Sequence, residues 1–221
     1  MIGNDLVDLQ LAVKESNWQR RGYLNKVCTA GEQKLILTSN NPLVTFWTVW
    51  SMKESVYKII NRITGIRNYS PASYNCTTFQ EDEQSIKSDK LQTGIQQKNA
   101  TQQSAIRPLS FSGEVLFEEH SFFTRTQIKE QRLHTIAVLQ PTHFDLTATV
   151  FYPNNVADNP IPATDYLHEF NQIAAPYRLS KNKNGIPEIT HITAETKHPA
   201  SVSHHGRYLA IIYSGSLLLT D

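Results

Sequence analysis

The chain has 221 residues, of which 39% are hydrophobic and 10% aromatic, so it can bury a core without metals or disulfides. Its 21 basic and 20 acidic side chains leave a formal net charge of +1, which gives no electrostatic basis for a dedicated nucleic-acid binder. Cys28 and Cys76 lack the spacing of a zinc site or a disulfide framework, and no segment has the length and apolarity of a membrane span. We expect a globular cytoplasmic protein with reduced cysteines, no signal peptide and no membrane partner.

The first elements in the chain are a predicted strand and a connector. Residues 1–10 alternate apolar groups with acids and amides, which favours a short buried strand over a helix. Residues 11–26 are polar and basic, with Arg20 and Arg21 near the middle, and we interpret them as a connector.

Two helices are predicted next. Thr29 and Glu32 have the spacing of a capping box, so a helix should begin there and end near Ser39. Residues 44–63 repeat apolar side chains at helical intervals after an Asn-Asn-Pro sequence. This second segment is predicted to be a long helix with one wide buried face.

The second half of the chain is richer in predicted strands. Residues 80–107 contain no aromatic side chain and few aliphatic ones, so we expect a mobile insertion or a long polar hairpin arm. The later elements are strands beginning at Phe111 and continuing through HTIAVLQ and FDLTATVFY, a helix over about 163–175, a turn at Gly185–Pro187, a polar loop at 201–206 and a strand over 208–213.

The order of these elements predicts an α+β fold with mostly antiparallel sheet. The length of the chain allows two similar lobes. We place the first lobe at residues 1–110, with the first strand and the long helix, and the second at residues 111–221. A homo-oligomer with long insertions is the alternative arrangement.

Asp5 is the first candidate functional residue. It lies in an otherwise apolar strand, where a buried carboxylate needs a cation or several hydrogen-bond donors. A turn or capping role beside Gly3 is the structural alternative for this acid.

The long helix supplies the second group of candidates. Glu54 and Lys58 are four residues apart and therefore share one face of the helix, where they could form an ordinary surface ion pair. Lys53 points to a different face. The third group is Ser203 and His204. Their side chains offer hydrogen-bond donors to a phosphate, but they are also compatible with a simple polar loop.

Taken together, these groups resemble the 4′-phosphopantetheinyl transferases. That family has a G-x-D strand, a W-x-x-K-E-x-x-x-K helix, a G-[K/x]-P turn and an S-x-S-H loop. The corresponding segments here are Gly3-Asn4-Asp5, Trp50 to Lys58, Gly185-Ile186-Pro187 and Ser201-Val202-Ser203-His204. The resemblance covers the first 70 residues and the last 40 best.

The resemblance implies an enzyme that moves the phosphopantetheine arm of coenzyme A onto a serine of an apo-acyl or peptidyl carrier protein. Asp5 and Glu54 would share one Mg²⁺, as this ion prefers oxygen ligands and retains several waters. Glu54, directly or through a metal-bound water, would accept the serine proton, and Lys58 would stabilise or protonate the leaving phosphate. The resemblance assigns a further set of residues to coenzyme A binding, namely Ser203, His204, Lys26 and Lys53.

The chain also departs from the family pattern. The larger surfactin-activating type has a second acid two residues after the first, where this chain has Val7, and Asp8 follows one residue later. Residue 8 of a strand points away from residue 5, so we expect a water instead of Asp8 in the metal sphere. The middle residue of the turn is Ile186, and any cation there must come from Lys181 or Lys183.

Two other functions fit the same residues. A metal-dependent phosphohydrolase of nucleotides or coenzyme A would use the same carboxylates but would need no carrier. A non-catalytic protein that binds coenzyme A or a carrier would keep the fold without the reaction. The sequence does not identify the carrier or its pathway.

Overall fold

The computed structural model describes residues 1–82, 108–153, 163–173 and 176–214, and it has the predicted α+β fold. Its helices and strands are β1 (Ile2–Asp8), α1 (Leu9–Glu15), α2 (Tyr23–Val27), α3 (Ala30–Thr38), α4 (Pro42–Thr64), β2 (Tyr74–Glu81), β3 (Leu109–Phe117), β4 (His120–Lys129), β5 (Arg132–Val138), β6 (Thr147–Pro153), α5 (Ala163–Ile173), β7 (Tyr177–Lys181), β8 (Pro187–His191), β9 (Lys197–His205) and β10 (Tyr208–Ser214). None of these helices has the length and apolarity needed to cross a membrane.

The strands form two antiparallel sheets with the same topology. The first sheet has the order β1-β5-β4-β3-β2 and the second has the order β6-β10-β9-β8-β7. In each sheet a strand is followed by helix and then by four consecutive strands, the last of which pairs with the first. This repetition supports the expected pair of similar lobes within one chain.

The sheets divide the chain at a different place from the predicted boundary. The prediction separated residues 1–110 from 111–221, a boundary that falls inside β3. Strand β3 pairs with both β2 and β4, and β5 then returns to pair with β1. Those pairings complete the first sheet. The first sheet therefore ends at Val138, and the second begins at Thr147.

Several local predictions are corrected by the structure. Residues 11–26 are not a simple connector, since they contain most of α1 and most of α2. Helix α1 begins directly after β1 because the Asp8 side chain accepts hydrogen bonds from the backbone N–H groups of Gln10 and Leu11. The polar segment around Ser203 is part of strand β9 and not a loop.

The segment predicted to be a polar insertion lies mostly outside the described residues. Its first two residues, Gln80 and Glu81, belong to β2. Residues 83–107 are not described.

The two predicted helices before this segment are confirmed with small changes in their ends. Thr29 and Glu32 form the capping box: the Glu32 carboxylate accepts from the Thr29 N–H at 2.7 Å, and the Thr29 hydroxyl accepts from the Glu32 N–H at 3.4 Å. In α4, the Asn41 side chain caps the first turn. Gly65 ends the helix in a left-handed conformation with φ of 73°.

Helix α4 packs directly on the first sheet and brings its side chains to β1. Its buried face includes Phe46, Val49, Met52, Val56 and Ile59. A Cβ atom at Gly3 would overlap the carbonyl oxygen of Ser55, so only glycine allows the helix to lie this close to the strand. The glycine of the G-x-D pattern therefore sets the distance between Asp5 and α4.

The two lobes meet where β1 lies along β9. Alternate residues of β9 contact β1: the Ser201 hydroxyl accepts from the Asn4 N–H at 3.2 Å, and Nδ1 of His205 accepts from the Asp8 N–H at 2.9 Å. Between them, Ser203 contacts Asp5. This alternation directs the intervening residue, His204, to a different side of β9.

Candidate active site

Asp5 and Lys58 are brought together at the boundary between the lobes. The Lys58 Nζ atom lies 3.5 Å from Oδ1 of Asp5 and donates to the Asn4 carbonyl oxygen at 2.6 Å. From the other lobe, the Ser203 hydroxyl donates to the same Asp5 oxygen at 3.2 Å. Asp5 is thus held by one side chain from α4 and one from β9.

Glu54 lies one turn before Lys58 on α4 and is mostly buried. The pKa of Glu54 is raised to about 7: burial is the largest cause, the negative charge of Asp5 adds to it, and the positive charge of Lys58 opposes the shift. The surface ion pair between Glu54 and Lys58 that the sequence allowed is not formed, because Lys58 pairs with Asp5. Asp5 and Glu54 are thus near enough for the charge of one to affect the ionisation of the other.

This pair of carboxylates fits a magnesium ion better than a metal that needs an all-protein cage. In the described part of the chain, no group of three or more histidine, cysteine or acidic side chains could hold a metal ion. Mg²⁺ is commonly bound by one or two carboxylates, with waters and substrate phosphates completing its octahedron. Asp5 and Glu54 are the residues that would hold it.

Asp8 is used elsewhere, in agreement with the expectation that it points away from Asp5. Its carboxylate caps α1 and accepts from Nε and Nη2 of Arg207 at 2.8 and 3.0 Å. Burial alone would raise the pKa of Asp8, but the hydrogen bonds and charge of Arg207 lower it below its ordinary value. Gly206 is needed beside this pair, since a Cβ there would lie 2.7 Å from Asp8 Oδ2.

A cavity of about 280 Å³ opens beside Lys58 and reaches into the second lobe. Three cationic side chains and one histidine line it, namely Lys58, Arg62, Lys181 and His204. The remaining lining residues are Asn61, Tyr166, Gly185, Ile186, Pro187, Ser201 and Val202. This mixture of positive charge and apolar surface suits an anion that also carries a ring or chain.

The predicted turn forms one wall of this cavity. Gly185 has φ of 74°, which produces the turn between β7 and β8, and Ile186 is buried. Of the two lysines that could replace the missing cation of the turn, Lys181 lines the cavity.

Arg62 is a cavity residue that the sequence reasoning missed. It lies one turn beyond Lys58 on α4, and its Nη2 atom donates to the carbonyl oxygens of Pro187, at 2.8 Å, and Ala200. Its spacing could have identified it. Glu54, Lys58 and Arg62 follow one another at intervals of four residues and therefore share one helix face.

Two residues assigned to coenzyme A binding have other partners. Ser203 is buried against Asp5 and does not line the cavity. Lys53 is also buried, and its three ammonium hydrogens are used by Glu32 at 2.6 Å, Val27 O at 2.8 Å and Pro71 O at 3.1 Å. Lys53 has no donor left for a phosphate, which corrects its assignment.

The other two assigned residues differ in position. His204 is exposed and lines the cavity, as a phosphate contact requires. Lys26 is exposed on α2 and does not line the cavity that Lys58 and His204 share.

Comparison with known proteins identifies a family. A family model described as the 4′-phosphopantetheinyl transferase superfamily matches residues 1–115. This region contains β1 and α4, and thus Asp5, Glu54 and Lys58, but it ends before β9. Neither a curated protein nor a solved structure matches the chain.

Proposed function

The chain belongs to the 4′-phosphopantetheinyl transferase superfamily, and we propose that it transfers the 4′-phosphopantetheine arm of coenzyme A to a serine of an apo-carrier protein. One observation carries this proposal. The carboxylates of Asp5 and Glu54 interact through their charges, and Lys58, which contacts Asp5, lines a cationic cavity that extends to His204 in the other lobe.

The residues present divide the work of a phosphoryl transfer between them. Lys58, Arg62, Lys181 and His204 would neutralise and orient the phosphates of coenzyme A in the cavity. Mg²⁺, held by Asp5 and Glu54, would supply further charge neutralisation at the pyrophosphate. Ser203 would orient the Asp5 carboxylate through the hydrogen bond already present.

In the reaction, the carrier serine oxygen attacks the β-phosphorus of coenzyme A. A new oxygen–phosphorus bond forms, and the bond from that phosphorus to the bridging oxygen of 3′,5′-ADP breaks. Glu54 would accept the serine proton, either directly or through a water bound to the metal. Lys58 would stabilise the charge that develops on the leaving phosphate.

The carrier would approach from the first lobe. Arg20 and Arg21 lie in the exposed segment between α1 and α2, and the Arg20 guanidinium stacks 3.7 Å from the centroid of the Tyr23 ring. We propose that these arginines face the acidic helix of the carrier, where rim charges affect the association rate more than the affinity.

The test is to incubate the protein with coenzyme A, Mg²⁺ and several apo-acyl and apo-peptidyl carriers and to weigh each carrier by mass spectrometry. We expect one added phosphopantetheine arm and release of 3′,5′-ADP. Cleavage of coenzyme A without any carrier would instead indicate a phosphohydrolase. Coenzyme A binding with neither reaction would indicate a binding protein and would contradict the proposal.

Glu54→Gln gives the matched negative control. In a transferase it should strongly reduce transfer and weaken the metal-dependent part of coenzyme A binding. Transfer at the parent rate would show that Glu54 neither holds the metal nor accepts the proton.

A further inference from the structure

The hydroxyl group of Tyr69 is buried without a hydrogen-bond partner among the described residues. Its ring, by contrast, is well packed: it meets Trp50 edge-on at 5.9 Å between centroids and lies 4.8 Å from Tyr57. A phenylalanine would make the same ring contacts without the cost of an unpaired buried hydroxyl. The hydroxyl therefore calls for a role that the fold alone does not supply.

The packing places Tyr69 over the turn of α4 that carries Glu54. Trp50 lies four residues before Glu54 and Tyr57 three residues after it, so all three share a helix face. A ring that contacts both aromatic residues must lie across the turn between them. The bond from Lys53 to the Pro71 carbonyl oxygen fixes the following segment to the same turn.

The charges around Tyr69 agree with this position. Burial is the main cause that raises the pKa of Tyr69 well above its ordinary value, and the negative charges of Glu54 and Asp5 add to it. The hydroxyl therefore keeps its proton and can act as a donor. The groups that act on it most strongly are the two carboxylates of the proposed metal site.

We propose that Tyr69 is a positioning residue whose hydroxyl donates a hydrogen bond to the Glu54 carboxylate when that carboxylate binds a divalent cation. One carboxylate oxygen then faces the cation while the other accepts from Tyr69, which fixes the orientation of the ligand. This inference rests on the metal site of the proposed function, but it concerns binding of the cation and not the transfer step.

The experiment compares Tyr69→Phe with Tyr74→Phe. Tyr74 belongs to the same aromatic cluster, 5.6 Å from the Tyr69 ring, and its ring stacks on Phe117. Mn²⁺ affinity is measured by electron paramagnetic resonance with coenzyme A present and no carrier. We expect Tyr69→Phe to weaken Mn²⁺ binding about 10–100-fold, as is typical when an outer hydrogen-bond partner of a metal ligand is lost, and Tyr74→Phe to leave it unchanged.

A second measurement separates positioning from a structural role. Without divalent cations, Tyr69→Phe should melt at the parent temperature or above it, because the substitution removes a buried hydroxyl that has no partner. A lower melting temperature would contradict the proposal, since the hydroxyl would then support the metal-free fold.

The remaining outcomes are also decisive. Parent-like Mn²⁺ affinity in Tyr69→Phe, an equal loss in both variants, or a parent protein that does not bind Mn²⁺ would each overturn the role of Tyr69. A parent protein that binds Mn²⁺ but transfers no arm to any carrier would contradict the proposed function and leave the role of Tyr69 standing.

Discussion

Helix α4 contributes a lysine to each of two lysine–carboxylate clusters, and the two clusters are built differently. Lys53 and Glu32 are each 1% exposed, lie 2.6 Å apart, and have further hydrogen bonds to the backbone. Lys58 and Asp5 are 27% and 13% exposed and lie 3.5 Å apart beside the crowded Glu54. All hydrogen-bond donors of the lysine are used in the first cluster, whereas the charged groups of the second remain partly exposed and can bind a ligand.

This difference shows how one short motif can serve two purposes. The pattern W-x-x-K-E-x-x-x-K contains both lysines, five positions apart, which places them on different faces of the helix. One face enters the core of the first lobe and the other meets the second lobe. Neighbouring motif residues therefore need not share a role, and the predictions below separate stability from chemistry.

The largest effect on stability is expected from Lys53→Met. Removing one partner of a buried ion pair leaves the Glu32 charge uncompensated and typically costs about 3–5 kcal/mol of unfolding free energy. Urea denaturation followed by circular dichroism measures this loss. The control is Lys26→Met, an exposed position on α2, where the change should stay within about 0.5 kcal/mol. Equal losses at both positions would remove the distinction between the clusters.

Glu54→Gln should separate activity from stability most clearly. Loss of the proposed base and metal ligand should reduce transfer by about 10²–10⁴-fold. Because the folded-state pKa of about 7 lies above the ordinary value of 4.5, Glu54 stabilises the metal-free fold below pH 4.5, and this contribution is lost as the pH rises through 7.

The glutamine side chain does not titrate. The unfolding free energy of the variant should therefore rise relative to that of the parent by up to about 3 kcal/mol between pH 4.5 and pH 8. Thermal melts at both pH values without divalent cations measure the difference. A stability difference that does not change between the two pH values would contradict the assigned shift.

Lys58→Met should mainly affect chemistry. The part-exposed pair with Asp5 contributes about 1 kcal/mol or less to stability, whereas loss of a charge that stabilises the leaving phosphate should lower kcat about 10²–10³-fold. Steady-state transfer to a carrier and a thermal melt of the same sample test both parts. A stability loss as large as that of Lys53→Met would mean that the second cluster is also structural.

Asp8→Ala should have the smallest effect, and it should not change metal binding. It removes the N-cap of α1, worth about 1 kcal/mol, together with the partner of Arg207. Because the pKa of Asp8 is lowered in the folded state, its stabilising contribution is present near neutral pH and is lost on acidification. Mn²⁺ affinity should be unchanged, and weaker binding would place Asp8 in the metal site.

The sequence predicted the parts of the fold that depend on local signals. The capping box of α3, the bounds of α4 within two residues and the turn at Gly185 each follow from side chains that act within a few positions. The sequence did not predict helices α1 and α2. In the case of α1, the capping residue Asp8 also lies within the predicted strand, so the start of the helix was hidden.

By itself the sequence determined the family, the α+β class and the shared helix face of Glu54 and Lys58, because motifs and helical periodicity are local. Only the tertiary structure decided which face meets the core and which meets the other lobe. The bond between Ser203 and Asp5 joins residues 198 positions apart, and the three acceptors of Lys53 come from three separate segments. Such pairings depend on how the sheets and helices pack, which no spacing along the chain encodes.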